Sequence, residues 1–125
     1  MLYCFFFIIM KTIGVIGGMG PQASIRFYDL LIRISREEHG VIDNSQYPHI
    51  LLSNLPIPET FESDEHMQDA VRMMSSEAKA IADAGADFLV IACNTMHLYL
   101  EECRQAANKP FLFHSIQILE KNRAE

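Results

Sequence analysis

The chain has 125 residues, half of them hydrophobic, and a formal net charge of −6. This length fits one domain with a buried core. The negative charge and the lack of a basic stripe argue against nucleic acid as a partner, but a small anionic ligand is compatible because one site can be locally positive. The cysteines, Cys4, Cys93 and Cys103, have no CxxC spacing. This indicates reduced thiols in a cytoplasmic protein rather than a disulfide framework.

Residues 1–9 form an apolar segment ahead of the first predicted strand. No basic residue precedes it and no small-residue cleavage site follows, so it does not resemble a signal peptide. It is also far shorter than the ~20 residues that a membrane-spanning helix needs. We therefore interpret residues 1–9 as an upstream extension and residues 10–125 as one domain, with no membrane as a partner. A membrane anchor is the alternative interpretation.

Short apolar runs alternate with amphipathic patterns along the rest of the chain. Strands are predicted over residues 11–16, 49–53, 86–92 and 111–114, and the strand over residues 49–53 is expected to be buried. Helices are predicted over residues 21–39, 67–84, 96–107 and from 116 to 121. The order βαβαβαβα predicts an α/β, three-layer domain with a four-stranded, mostly parallel sheet.

The most informative stretch is the apolar run Phe88–Ala92, which ends in three small polar residues, Cys93, Asn94 and Thr95. Ligands of open parallel sheets bind beyond the carboxyl ends of the strands. A thiol at that position would lie beside the N-terminus of the next helix, whose dipole favours the thiolate. Thr95 could cap this helix, and Asn94 could hydrogen-bond a ligand carboxylate or the turn itself. The alternative is that Cys93 is a small core residue.

Two other strand ends carry glycine or polar residues. The first predicted strand is followed by Gly17-Gly18-Met19-Gly20 and then Pro21, which suits the first position of a helix. This turn is neither a GxGxxG fingerprint nor a P-loop, so an anion such as a carboxylate is a simpler ligand than a nucleotide. The second predicted strand ends in Ser53-Asn54, followed by a loop with prolines at positions 56 and 58. We expect these ends and Cys93 to converge on one edge of the sheet.

His97, Cys103 and the methionine pair are each open to two interpretations. His97, four residues after Cys93, could be a base or a metal ligand, but no second cysteine or histidine pair accompanies it, so zinc is not expected. A partly buried helix histidine is the favoured interpretation. Cys103 falls among apolar neighbours of the same predicted helix and is expected in the core. Met73 and Met74 are expected to fill core space.

Residues 14–21, 54–58 and 92–97, taken together, resemble the aspartate/glutamate racemase family, and the likeness covers residues 10–121 in order. The resemblance implies a racemase that needs no pyridoxal phosphate or other cofactor and acts on a small molecule, an amino acid whose identity is left open. It also implies two similar α/β domains, each supplying a cysteine for two-base proton transfer at the α-carbon. By this resemblance Cys93 is one acid/base group. The implied pocket residues are Met19, Gly20, Ser53, Asn54, Asn94 and Thr95.

The chain departs from that pattern in two ways. It ends where the second domain is expected, so we interpret it as an N-terminal half, truncated before that domain. Neither Cys4 nor Cys103 is placed to replace the missing second cysteine. In addition, no Lys or Arg occurs between Arg36 and Arg72, so the loop around residues 54–60 offers no cation to a substrate side-chain carboxylate.

Three functions remain open on the sequence. The first is a racemase half that lacks its second cysteine, for which a homodimer could supply a second Cys93 across a two-fold axis. The second is a module that binds an amino acid or carboxylate without turnover. The third is an oligomerisation or regulatory fragment with an apolar face for a partner.

Overall fold

The computed structural model describes residues 11–58 and 63–112. Its elements alternate along the chain as predicted. The strands are β1 (Ile13–Gly17), β2 (Ile50–Asn54), β3 (Phe88–Ile91) and β4 (Phe111–Leu112). The helices are α1 (Pro21–Glu37), α2 (Asp64–Asp83) and α3 (Leu100–Ala107), with 3₁₀ turns at Asn44–Gln46 and Thr95–Tyr99.

All strand pairings in the sheet are parallel, in the spatial order β2-β1-β3-β4. Strand β1 is central, and its residue Ile13 pairs with Ile50 of β2 and with Phe88 of β3. The predicted α/β class with a parallel sheet is confirmed. Only two residues of the fourth predicted strand are described. The rest of that strand, the helix predicted from 116 to 121 and the extension 1–9 lie outside the described residues.

Side chains alternate between two apolar layers, one on each face of the sheet. Val15 of β1 and Val90 of β3 pack with Phe27 of α1 on one face. Ile16 of β1 and Leu89 of β3 belong to a larger cluster on the other face, which includes buried residues of α2 and α3. Because successive strand residues point to opposite faces, both faces of β1 and β3 are buried, and helices cover the sheet on both sides.

Strand β2 was expected to be buried, and this expectation is wrong. Its five residues are half-buried or exposed, whereas every residue of β1 and β3 is buried. In the described part of the chain β2 pairs only with β1, so it forms an edge of the sheet. The sequence of an edge strand can be as apolar as that of a central strand when helices still contact its partly covered faces.

The second helix begins earlier than predicted, at Asp64 rather than near Met67. The Ser63 hydroxyl oxygen accepts a hydrogen bond from the backbone N–H of His66 at 3.3 Å, which is an N-cap. Asp64 and Glu65 then place negative charge in the first turn, where the helix dipole favours it. The serine followed by two acidic residues was a start signal that the apolar stripe alone did not reveal.

The segment after Cys93 also differs from the prediction of one helix over residues 96–107. It forms a 3₁₀ turn over Thr95–Tyr99, and α3 begins only at Leu100. Thr95 does not cap this segment: its N-cap residue is Asn94, which has helical backbone angles and no side-chain capping hydrogen bond. The apolar periodicity of the sequence is compatible with both helix types, since it does not distinguish bonds of the i→i−3 and i→i−4 kinds.

In residues 11–58 and 63–112, none of the helices has both the length and the apolar character needed to cross a membrane.

The neighbouring methionines of α2 provide a test of this packing. Met74 is 0% exposed and belongs to the larger core cluster, whereas Met73 is 36% exposed, so the expectation that both fill the core holds only for Met74. Met74→Ala is expected to lower the free energy of unfolding by about 2–5 kcal/mol through lost burial and a cavity. Met73→Ala, the matched control, should change it by less than about 0.5 kcal/mol. Urea unfolding followed by circular dichroism measures both, and equal losses would contradict the assigned packing.

Candidate active site

A cavity of about 370 Å³ lies beyond the carboxyl ends of β1 and β3. It is lined by Met19, Gly20, Ile57, Pro58, Cys93, Thr95 and Met96. Its volume is near the lower end of the roughly 300–1,000 Å³ typical of small-molecule sites. A larger groove of about 480 Å³, lined in part by Asp64, Arg72 and Glu102, lies between α2 and the turn before α3 but contains no thiol. We therefore take the cavity beside Cys93 as the candidate site.

The glycine turn after β1 forms one wall of the cavity. It packs against the backbone of the loop after β2. Gly18 has a φ of 97°, and a Cβ atom there would collide with the backbone of Leu55. The Leu55 N–H donates to the Gly17 carbonyl oxygen at 2.9 Å. Only glycine combines this backbone conformation with such a close approach. The turn and the Leu55 loop are therefore held together at the edge of the sheet.

Ser24, a buried residue of α1, holds the same turn from the other side. Its hydroxyl oxygen accepts a hydrogen bond from the backbone N–H of Gly18 at 2.8 Å. A Cβ atom at Gly17 would collide with this hydroxyl. Ser24 was not among the predicted site residues. The available signal was a small polar residue on the same helix face as Phe27, one turn after the glycines.

Helix α1 begins at the cavity, since its N-cap residue Gly20 lines the wall and Pro21 is its first residue. The first N–H groups of an α-helix have no partner within the helix, and the helix dipole adds partial positive charge there. Cys93, which follows the neighbouring strand β3, lines the same cavity. The site therefore combines a helix N-terminus that favours an anion with a thiol.

Cys93 lies just beyond the last hydrogen bond that ties its strand to β1. The Ala92 N–H donates to the Ile16 carbonyl oxygen at 2.9 Å. Cys93 is half-buried, packs in part against the larger core cluster and lines the cavity. The thiol is thus supported by the core and still accessible from the cavity.

His97 has its ring committed to the backbone of the same turn. Its Nδ1 lies 2.7 Å from the Cys93 carbonyl oxygen. A carbonyl oxygen can only accept, so Nδ1 carries the proton. Nε2 is buried, and His97 is absent from the residues that line the cavity. This agrees with the favoured interpretation of a partly buried histidine and does not support a base that faces the ligand.

Cys103 is a core residue, as predicted. It is 0% exposed and packs between α2 and α3. Burial raises the pKa of its thiol to about 11, since desolvation disfavours the thiolate more than a hydrogen bond with Ser75 favours it. At neutral pH Cys103 is therefore a neutral thiol, and its burial shields it from reagents.

Four of the seven predicted site residues lie together, namely Met19, Gly20, Cys93 and Thr95. Ser53 lines a different groove, beside Ala80 on the outer edge of β2. Asn54 and Asn94 are exposed and do not line the cavity. Ile57, Pro58 and Met96 complete the wall but were not among the predicted residues. The two prolines after β2 were the sequence signal for Ile57 and Pro58, because they placed that loop at the same edge.

The described residues that line the cavity include no Lys, Arg, Asp or Glu. Elsewhere in residues 11–58 and 63–112, no group of three or more His, Cys, Asp or Glu side chains is placed to hold a metal ion. The described lining therefore offers one thiol, one hydroxyl, backbone N–H groups and apolar side chains.

The sequence model of the Asp/Glu/Hydantoin racemase family matches residues 16–117. This range includes the last two residues of β1, the glycine turn and Cys93, so both walls of the cavity fall inside the match. The chain belongs to the Asp/Glu/Hydantoin racemase family.

Individual relatives support this assignment. The chain is 30% identical over 100 residues to the broad specificity amino-acid racemase RacX of Bacillus subtilis (strain 168). Among solved structures, it is similar to an aspartate racemase homologue from Pyrococcus horikoshii OT3, with 31% identity and a TM-score of 0.71. It is also similar to the aspartate racemase of Picrophilus torridus, with 26% identity and a TM-score of 0.65.

These matches cover a larger share of this chain than of each relative. The RacX match covers 80% of this chain and 44% of RacX. The two structural matches each cover 82% of this chain, with 44% of the Pyrococcus chain and 66% of the Picrophilus chain. The chain thus spans less than half the length of RacX.

Two buried serines of α1 test how the glycine turn is held. Ser24→Ala removes the acceptor for the Gly18 N–H and should lower the free energy of unfolding by about 1 kcal/mol or more. Ser35 is the matched control, because its hydroxyl donates to the Leu31 carbonyl at 2.8 Å within the same helix. Ser35→Ala should cost less than about 1 kcal/mol, since such bonds contribute little to a helix. Thermal unfolding compares the two, and a larger loss for Ser35→Ala would contradict the role given to Ser24.

The two described thiols should differ in reactivity. Iodoacetamide at neutral pH should alkylate Cys93 well ahead of Cys103, because the thiolate fraction and access control this reaction. Peptide mass spectrometry after timed quenching measures each site separately. The matched control is the same reaction in denaturant, where the two rates should become similar.

The pKa of Cys103 also has a consequence for stability at high pH. The folded-state pKa of about 11 lies above the ordinary value of 9.0. The stabilisation from keeping this thiol neutral is thus complete below pH 9 and is lost as the pH rises towards 11.

Labelling of Cys103 in the native state that equals that of Cys93 at pH 7 would contradict its assignment to the core.

Proposed function

We propose that this chain provides one half of the active site of an amino-acid racemase, with Cys93 as one of two acid/base groups. The observation that carries the proposal is the placement of an accessible thiol in a cavity shared with a helix N-terminus, at the carboxyl edge of a parallel sheet. Family membership supports the same chemistry. The reaction is proton transfer at the α-carbon without a pyridoxal phosphate cofactor.

In the proposed step the Cys93 thiolate takes the α-proton of the bound amino acid. The S–H bond forms as the C–H bond breaks, and the electron pair of that bond moves onto the α-carbon and the carboxylate. The additional charge on the carboxylate is the feature that the site has to stabilise. Hydrogen-bond donors aimed at the developing charge make the largest contribution to such a step.

The first turn of α1 is the proposed carboxylate site. The helix begins at Pro21 beside the cavity, and Gly20, without a side chain, leaves its backbone accessible. The N–H groups at the start of the helix and the partial charge of its dipole both favour an anion at this point. The Thr95 hydroxyl, on the Cys93 side of the cavity, is a further donor for the carboxylate.

The wall around the substrate side chain supports a neutral amino acid. Met19, Ile57 and Met96 are apolar, and the described lining contains no cation for a second carboxylate. Methionine side chains adapt to ligands of different shape. This composition agrees with the broad specificity named for RacX more closely than with selection of aspartate or glutamate.

The second acid/base group has to come from outside the described cavity. Cys103 is buried and its thiol pKa is raised, so it does not serve. Racemisation needs a proton donor on the face of the carbanion opposite Cys93. A second domain or a second copy of the chain, with its own Cys93, would supply it.

Stereochemistry provides the test of this proposal. One thiol reaches one face of the planar carbanion, so the 125-residue chain should exchange the α-hydrogen for deuterium with retention and give little or no inversion. Alanine, methionine, aspartate and glutamate are incubated with the chain in heavy water and analysed by chiral chromatography with mass detection. The neutral substrates should show the faster exchange.

The controls are two cysteine variants. Cys93→Ala should abolish exchange, whereas Cys103→Ala should retain it because Cys103 does not reach the cavity. Binding of amino acids without any exchange would favour the alternative, a non-catalytic binding module. Rapid inversion by the chain alone would show that two copies assemble a complete site.

A further inference from the structure

The 3₁₀ turn after Cys93 is bound to the Cys93 carbonyl by a side chain. In an α-helix a backbone N–H would make this hydrogen bond. In an α-helix the N–H of residue i binds the carbonyl of residue i−4. Here the His97 N–H binds the Asn94 carbonyl oxygen instead, at 3.3 Å, which is the i→i−3 bond of a 3₁₀ turn. The Cys93 carbonyl is therefore left without that backbone donor.

The imidazole of His97 supplies the missing donor. Its Nδ1–H lies 2.7 Å from the Cys93 carbonyl oxygen, a spacing of four residues. The side chain thus restores an i→i−4 bond that the 3₁₀ turn excludes. This bond fixes the plane of the peptide that joins Cys93 to Asn94, immediately after the last hydrogen bond of the sheet at Ala92.

We propose that His97 is a positioning residue that orients the Cys93 thiol towards the cavity. The backbone of Cys93 is restrained by the sheet on its N-terminal side and by His97 on its C-terminal side. Together these restraints define the direction of the bond from Cα to Cβ, about which the sulfur can take only a few staggered positions. His97 acts through Cys93 and does not touch the substrate.

The catalytic part of this inference rests on the proposed function, whereas the orientation of the thiol does not. A misplacement of about 1 Å in a reacting group can lower a rate by about 100-fold. A restraint on the Cys93 backbone therefore matters for proton transfer far more than for the stability of the fold. Thiol reactivity and deuterium exchange test the two parts separately.

The experiment compares His97→Asn with His97→Gln. The asparagine amide nitrogen is the same number of bonds from Cα as Nδ1 of histidine, whereas the glutamine amide nitrogen is one bond further. Both variants keep a polar amide, so only the position of the donor differs. His97→Leu removes the donor. His49→Leu is the matched control, because His49 is an exposed histidine at the opposite end of the sheet, beside Thr12.

Native alkylation of Cys93 by iodoacetamide is the first measurement. His97→Asn and His49→Leu should keep the wild-type rate within about twofold, and His97→Gln and His97→Leu should lower it at least about threefold, because a freed thiol can turn against the core. Thermal unfolding of each variant identifies any change that comes from stability alone. Equal rates in the asparagine and glutamine variants, at equal stability, would overturn the positioning role.

Deuterium exchange into methionine in heavy water is the second measurement. His97→Gln should reduce kcat for exchange by about tenfold or more with little change in KM, and His97→Asn should recover most of it. A rise in KM with no change in kcat would overturn the inference. If the wild-type chain shows no exchange, the proposed function fails, and the alkylation rates still decide whether His97 orients Cys93.

Discussion

The central position of β1 in a parallel sheet is the constraint on which the site depends. β1 pairs with β2 on one side and with β3 on the other, in register from Ile13 onwards. Parallel pairing brings the carboxyl ends of all three strands to one edge. The glycine turn, the Leu55 loop and Cys93 meet there because each immediately follows one of these strands. Without that register the thiol and the helix N-terminus would not share a cavity.

The carboxyl edge of the sheet, where the strands end at the cavity, is stabilised by close backbone packing rather than by charged pairs. Gly18 approaches the Leu55 backbone too closely for any side chain, and Ser24 holds the same turn from within α1. Ion pairs such as Arg33 with Asp29 and Lys79 with Asp83 join neighbours on exposed helix surfaces. Such pairs contribute little to stability. The site therefore depends on glycine, serine and buried aliphatic residues, whose contacts do not weaken with salt.

The two described cysteines show how the same side chain takes different roles in different surroundings. Cys103 packs between α2 and α3, where desolvation keeps its thiol neutral. Cys93 follows a strand end, contacts the core on one side and the cavity on the other. His97 restrains the backbone at that point. The difference between a buried thiol and one that lines a cavity is thus made by the fold around it and not by the residue type.

The sequence by itself determined the α/β class, the parallel sheet and the positions of Met19, Gly20, Cys93 and Thr95 at one edge, because strand periodicity and the residues after each strand are local features. Its motifs also indicated the family. The tertiary structure alone decided that β2 is an edge strand, that Ser53 faces another groove, that Met73 is exposed and that Ser24 and His97 hold the site. Those outcomes depend on strand order, helix type and hydrogen bonds between segments. One apolar pattern is compatible with several strand orders, both helix types and different hydrogen bonds.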